Sequence, residues 1–228
     1  MAGMTDLPLA LVTGASRGIG AAIAHQLAPT HRLLLGGRDA DALAKVAAEL
    51  PGAQPWPVDL TDPAAVEAAA SGIGRLEVLV HSAGIGRIGA IAEAPASAWR
   101  ANFEINVLAV AELTRHLLPA LRAARGHVVV LNSGAGQTAR PGWAPYAASK
   151  FAARAFADAL RAEEPELRVT SVYPGRTDTD LQRNVIAQEG GTYDATKYLR
   201  PDSVATAVLT AVTATPDAHL TEITVRPR

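Results

Sequence analysis

The 228-residue sequence contains no cysteine. That excludes disulfide bonds and thiol chemistry, and it is compatible with a reducing, cytoplasmic setting. An excess of charge is also missing: 21 basic and 22 acidic side chains leave a net charge of −1. Nothing in that balance points to nucleic acid or to an acidic membrane surface. No apolar run reaches the roughly 18 residues that a membrane-spanning helix needs. The opening "MAGMTDLPLALVTGAS" lacks the basic segment, long apolar core and cleavage site of a secretory leader. The six histidines, at positions 25, 31, 81, 116, 127 and 219, are scattered without metal-ligand spacing, so no metal site is expected. Tyrosine and lysine are scarce, at four and three residues, yet a tyrosine stands four residues before a lysine twice, in "YAASK" (146–150) and "YDATK" (193–197).

What is present suits a compact fold. Hydrophobic residues make up 49% of the chain, and its length fits one domain over residues 1–228 with a sizeable core. Short apolar runs occupy residues 9–14, 31–37, 54–60, 75–84, 126–133, 167–175 and 219–227. Several are near-continuous Val, Ile and Leu, the pattern of parallel strands covered on both faces. Between them, segments 18–28, 39–50, 63–71, 97–124, 144–164 and 201–213 carry helical periodicity and good helix formers. Repeated strand–helix alternation predicts an α/β, three-layer, doubly wound fold on a mainly parallel, seven-stranded sheet. Residues 176–200 are polar and irregular, the pattern of a substrate loop or lid.

"LALVTGASRGIGAAIAHQLA" has strand–turn–helix order, with glycines at 14, 18 and 20. Such glycines let the backbone turn tightly and approach a pyrophosphate at a helix N-terminus. Read alone, the motif is also compatible with a tight turn that holds no ligand, though its position after the first strand favours a nucleotide site. "TGASRGIG" resembles the glycine motif of the short-chain dehydrogenase/reductase family, and further motifs follow in that family's order to the final strand. The resemblance implies a Rossmann-type fold, a nicotinamide dinucleotide and a Ser–Tyr–Lys site completed by Asn. It implies cofactor contacts from Gly14, Ser16, Arg17, Gly18, Ile19 and Gly20. It adds Asp59 and Leu60 at the adenine, and Ser82, Ala83 and Gly84 at the ribose. Without the family, Asp59 would simply precede a helix capped by Thr61. "HSAG" (81–84) stands where relatives have Asn-Asn-Ala-Gly; His81 is read as structural, and Ser82 offers fewer hydrogen-bonding groups than Asn.

Charge bears on the choice of cofactor. A carboxylate ending the second strand favours the ribose hydroxyls of NAD, and an arginine favours a 2′-phosphate. Here Gly37 stands at that position, followed by Arg38, and Arg17 supplies a second cation, so NADP(H) is expected over NAD(H). Asp39, next in line, is the opposing charge.

Hydride transfer to a carbonyl leaves an oxygen that needs a proton. A tyrosine can supply it, and an ammonium one helical turn away lowers its pKa. "YAASK" has this form. Ser133 ends a strand thirteen residues before Tyr146, the family's spacing, and would hold the substrate oxygen. The resemblance gives Lys150 a second task, binding the nicotinamide ribose, and has Asn106 support a water beside it. "YDATK" has Asp180 at the corresponding upstream position and is assigned to the lid. In "YPGRTDTD", Pro174 and Gly175 match the turn passing the nicotinamide, and Thr177 and Thr179 its carboxamide contacts; Thr179 also reads as a helix cap. Gly134, Gln137 and Trp143 are expected to line the pocket.

The function expected is NADP(H)-dependent carbonyl reduction, or the reverse alcohol oxidation, on a small-molecule substrate. A nicotinamide-binding regulator or redox sensor on the same fold is the alternative, since fold does not fix function. The resemblance further implies a homodimer or homotetramer assembled through the long helices; from the charge balance and the apolar runs, neither nucleic acid nor membrane is expected as a partner.

Overall fold

The computed structural model describes residues 7–228. Each apolar run contains a strand: β1 (Leu9–Thr13), β2 (Arg32–Gly37), β3 (Gln54–Pro57), β4 (Val78–His81), β5 (His127–Leu131), β6 (Arg168–Pro174) and β7 (Glu222–Val225). They form one parallel sheet in the order β3-β2-β1-β4-β5-β6-β7. The order runs outward in both directions from β1 and β4, so the crevice at their carboxyl ends is where such sheets bind ligands.

Alternation along each strand builds two cores. Val12 and Val129 face one side with Ile23 and Leu27 of α1 (Gly18–Leu27), Leu43 of α2 (Ala40–Glu49), and Val204 and Val208 of α8 (Pro201–Val212). Leu11, Val128 and Val130 face the other, against Val66 of α3 (Pro63–Ala70), Leu113 and Leu117 of α5 (Ala109–Ala124), and Leu160 of α6 (Ala144–Glu163). Both faces of the central strands are thus covered, which is why those runs are continuous rather than alternating.

Three expectations change. The segment expected as one helix over 97–124 is α4 (Ala96–Phe103) and α5 joined by a π-helical turn, Glu104–Leu108. Residues 176–200 are not wholly irregular, because they contain α7 (Asp180–Gln188) and a 3₁₀ turn at Ala195–Lys197. Thr61 does not cap α3: the Asp62 carboxylate accepts from Ala64 and Ala65 N–H, and Pro63 opens the helix. The reading of the chain's opening rests partly on residues 1–6, which lie outside the described ones.

Candidate active site

The turn after β1 is fixed by its own neighbours. The Thr13 hydroxyl donates to the Val80 carbonyl (3.3 Å) and accepts from Ser82 and Ala83 N–H (3.0 and 3.1 Å), binding it to the end of β4. Gly14 has φ +65°, and a Cβ there would lie 2.9 Å from Ala83 backbone atoms. A Cβ on Gly20 would lie 2.2 Å from the Gly14 carbonyl oxygen. The protein's own backbone therefore demands these two glycines. Gly20→Ala is expected to cost about 1–3 kcal/mol through overpacking, lowering the melting temperature by about 2–4 °C per kcal/mol. Gly72→Ala, with nothing within 4 Å of its Cβ, is the control that should leave thermal melting unchanged.

At the far end of the cleft, Gly37 and Arg38 line its wall with Asp59 and Leu60. The Asp39 carboxylate instead caps α2, accepting from Ala42 N–H at 3.0 Å. This resolves the opposing charges in "GGRD", since the acidic one is committed to the helix. Arg17 lies across the cleft from α7, 3.4 Å from the Asp180 carboxylate, with both side chains exposed. One Asp59 oxygen accepts from the Thr61 N–H (2.9 Å) and hydroxyl (2.8 Å), which hold the carboxyl below its ordinary pKa.

The chemical end forms where β5 and the start of α6 meet. Asn132 Oδ1 accepts from Ser133 N–H (2.9 Å), and its Nδ2 donates to the Lys150 carbonyl (3.0 Å). This buried amide, which sequence reasoning missed, ties the Ser133 turn to the helix carrying the lysine. Ser133 Oγ accepts from Ala135 N–H (3.1 Å), which leaves its own proton free to be donated. Tyr146 and Lys150 sit one turn apart on α6, both 6% exposed. The ammonium lies 5.9 Å from the tyrosine ring centroid and donates to the Leu131 carbonyl at 3.0 Å.

Burial pushes the Tyr146 hydroxyl above its ordinary pKa, with Ser133 partly opposing, and it pulls Lys150 down to about 8. The expected lowering of the tyrosine by the lysine is not what acts here: burial raises the hydroxyl, and Ser133 is the group that opposes it. Enclosure penalises the phenolate and the ammonium alike. At pH 7 the pair is a neutral phenol beside a mostly charged amine.

Asn106 lies in the π turn. Its Oδ1 accepts from Ile85 N–H (3.1 Å), while Nδ2 donates to the Ile85 carbonyl and to Ser149 Oγ, both at 3.0 Å. One turn earlier, Asn102 clamps the N–H and carbonyl of Arg87 in the same way (3.1 and 2.8 Å). Both Asn106 amide hydrogens are therefore taken, and it borders Lys150 through Gly84, whose Cβ would lie 3.1 Å from Asn106 Oδ1 and 3.7 Å from Lys150 Nζ. π turns often occur at functional sites.

A cleft of about 1470 Å³ joins the two ends. Among the sequence-predicted residues, Gly14, Ser16, Arg17, Gly18, Ile19, Gly20, Arg38, Asp59, Leu60, Ser82, Ala83, Gly84, Ser133, Tyr146, Lys150, Pro174, Gly175, Thr177 and Thr179 border it; Asn106 stands behind. Thr179 caps α7 by accepting from Gln182 N–H (3.2 Å), as its position suggested. Gly134 and Trp143 line the cleft. Gln137 does not: its amide turns toward β7, donating to Thr224 Oγ1 (3.2 Å) and accepting from Arg226 (2.9 Å). His81 is buried, with Nε2 2.9 Å from Thr114 Oγ1.

The second Tyr–Lys pair is split between other partners. The Tyr193 hydroxyl donates to Asp178, its ring lies 5.1 Å from that of Tyr198 at a 47° tilt, and Lys197 lies 3.6 Å from Asp194.

Residues 8–190 match the family model described as short chain dehydrogenase. The chain is 39% identical over 201 residues to the bovine "Dehydrogenase/reductase SDR family member 7B", covering 80% of this chain and 62% of that protein. It is 34% identical over 232 residues to an uncharacterized short-chain type dehydrogenase/reductase of Sinorhizobium fredii, covering 98% and 93%. Among solved structures, an alcohol dehydrogenase from Thermococcus sibiricus complexed with 5-hydroxy-NADP superposes with a TM-score of 0.88 at 30% identity, over 97% of both chains. A short chain dehydrogenase from Burkholderia cenocepacia in complex with NADP gives 0.82 at 30% identity, over 96% of this chain and 88% of that one. The sheet order, the glycine turn and these matches agree, and the chain belongs to the short-chain dehydrogenase/reductase family of oxidoreductases.

Proposed function

We propose that the chain is an NADP(H)-dependent oxidoreductase that interconverts a carbonyl and an alcohol, acting as one domain over its whole length. The observation that carries this reading is the meeting of Ser133, Tyr146 and Lys150 in the same cleft as the glycine turn. The cleft fits the cofactor: at about 1470 Å³ it exceeds the roughly 300–1,000 Å³ of a pocket for one drug-sized ligand, and its floor at Gly14 and Gly18 carries no side chain. When bound, the nicotinamide supplies or accepts the hydride.

The rest is the work of this chain. Ser133 donates its free hydroxyl proton to the carbonyl oxygen and polarises it. Tyr146, neutral at pH 7, gives the proton that the oxygen needs as charge develops. Lys150 stabilises the phenolate left behind and reaches the nicotinamide ribose. Asn106 fixes Ile85 and Ser149 around them and supports the proton path. Thr177, Thr179, Pro174 and Gly175 form the nicotinamide wall, and Ser82, Ala83 and Gly84 the ribose wall. Leu108 and Phe151, exposed at 52% and 41% on the long helical elements, suit burial between copies of the chain and support a homodimer or homotetramer.

Preference for NADP(H) over NAD(H) is supported by Arg17 and Arg38 on the cleft wall and by Asp39 being committed to its cap. A screen of NADPH and NADH oxidation against ketones, aldehydes, quinones and diketones tests the function. Bound NADPH that no carbonyl oxidises would instead favour a sensor. Arg38→Asp is expected to lower the NADPH-to-NADH ratio of kcat/KM by about tenfold or more, the equivalent of one lost charge-assisted contact of about 1.5–3 kcal/mol. An unaltered ratio in both Arg38→Asp and Arg17→Ala would sink the assignment.

A further inference from the structure

Three separate segments meet beside Tyr146. Arg176 follows β6, Trp143 precedes α6, and Glu189 ends α7. Glu189 Oε2 accepts from Arg176 (2.8 Å), while Oε1 accepts from Arg176 (2.7 Å) and from Trp143 Nε1 (3.1 Å). The Arg176 guanidinium also lies 5.5 Å from the Trp143 ring centroid, and that ring is 5.9 Å from the Tyr146 ring at a 60° tilt. The Arg176 and Glu189 side chains are only 30% and 25% exposed, so this pair is less screened than a surface ion pair.

The neighbouring wall is held from the same end of α7. Gln188 Oε1 accepts from Ile88 N–H (3.0 Å), and its Nε2 donates to the Gly86 carbonyl (3.0 Å). Ile88, Trp143, Ala135 and Ala147 form a small apolar cluster around Tyr146.

The charge arithmetic matters next to a proton donor. Unpaired, Arg176 would be a ready partner for a carboxylate on the substrate, because its planar fork binds carboxylates in bidentate fashion. Glu189 already occupies that fork. The arginines at 87, 140 and 226 also border the cleft; all three are exposed and screened by solvent, with Arg226 further tied to the Tyr173 and Gln137 oxygens and Arg140 helping to hold the Glu189 carboxyl low.

We propose that Glu189 is a positioning residue that sets substrate class. Through Trp143 and Arg176 it presents an aromatic, charge-compensated wall beside Tyr146, which selects carbonyl compounds with an uncharged, apolar neighbour over those with a carboxylate next to the carbonyl. This rests on the carbonyl chemistry proposed above.

Benzoylformate and its methyl ester test it, because they differ at that neighbour by a charge and a methyl. Wild type with NADPH is expected to prefer the ester by at least tenfold in kcat/KM. Glu189→Gln keeps an acceptor for Trp143 but frees the Arg176 charge. It should shrink that preference about tenfold, chiefly by lowering KM for the acid rather than by changing kcat. A wild type that prefers the acid, or a ratio unmoved by Glu189→Gln and Glu189→Ala, overturns the proposal.

A second measurement needs no turnover. The emission of Trp143, taken as the difference between wild type and Trp143→Phe, should shift to the red and become more quenchable by acrylamide in Glu189→Ala. Unchanged emission defeats the clamp. A wild type that reduces some carbonyl of the screen but neither of these compounds overturns the selection alone, and one that binds NADPH but reduces no carbonyl at all overturns the carbonyl reading with it, while the emission result stands or falls by itself.

Discussion

Tyr146→Phe is expected to lower turnover by about 10²–10⁴-fold, the range for a positioned general acid, while NADPH binding stays close to wild type. The substitution removes one oxygen and little else. The ring is packed among Ala135, Ala147, Ile88 and Trp143, and phenylalanine keeps those contacts. The hydroxyl it removes is held above its ordinary pKa by burial. At neutral pH it is therefore protonated and ready to give its proton in the reducing direction. Lys150, brought to about 8, remains mostly charged at pH 7, as its proposed role beside the phenolate requires. In the proposed roles neither Ser133 nor Lys150 replaces the lost donor, because the serine polarises the oxygen and the lysine acts through the phenol. Steady-state NADPH oxidation with the best carbonyl from the screen, beside a nicotinamide fluorescence titration, makes the check. Retention of more than about a tenth of wild-type turnover falls short of any positioned acid and would remove Tyr146 from its proposed role. Loss of NADPH binding together with turnover would mean instead that the variant disturbs the cleft.

The parts of this site visible in the sequence share a property. Gly14, Gly20, Tyr146 and Lys150 owe their placement to local geometry: a turn after a strand, or one turn of a helix. Ser133 likewise lies just beyond the end of an apolar strand. Local spacing is preserved in the linear chain, so these residues can be paired by reading along it. Asn132, Asn102, Ser149 and Glu189 act across the fold. Asn132 joins Ser133 to a carbonyl eighteen positions away, and Asn102 clamps Arg87 fifteen positions back. Only the docking of α4 and α6 against the β4 and β5 loops creates those contacts. The π turn is hidden for a related reason. Its residues keep the composition and periodicity of the helices on either side, and the extra residue shows only when the hydrogen bonds are traced. The direction of the Tyr146 pKa is likewise illegible, because sequence shows the neighbouring charge but not the depth of burial.

Acid should destabilise this protein well before its carboxylates titrate. His81 and His127 are both buried, and burial brings each to about 3 from an ordinary value of 6.5. The roles of their rings are set by their partners. Thr114 Oγ1 donates to the Val110 carbonyl (2.8 Å), so it accepts from His81 Nε2–H. Thr170 Oγ1 donates to the Leu220 carbonyl (2.6 Å) and accepts from His127 Nε2–H (2.7 Å) in the same way. His127 Nδ1 is buried without a partner among the described residues, and Arg168 and His219 add like charge against its protonation. Between pH 6.5 and 3 the unfolded chain binds a proton at each histidine that the folded chain refuses, so stability falls as pH falls. The slope is about 1.4 kcal/mol per pH unit for each group, giving about 2 kcal/mol each, and about 4 together, between pH 7.5 and 5. His31, also lowered by burial, acts in the same direction. Paired carboxylates such as Glu189, held low by Arg176, lose their contribution only below the ordinary Glu value of about 4.3. The interval from pH 6.5 to 5 therefore belongs to the histidines. Urea denaturation across that interval measures the slope. His81→Asn retains a donor for Thr114 and should remove one histidine's share of it, and a double variant with His127→Gln should remove both, whatever either costs at pH 7.5. A slope unchanged in the double variant would show that the two rings are not the groups refusing the proton.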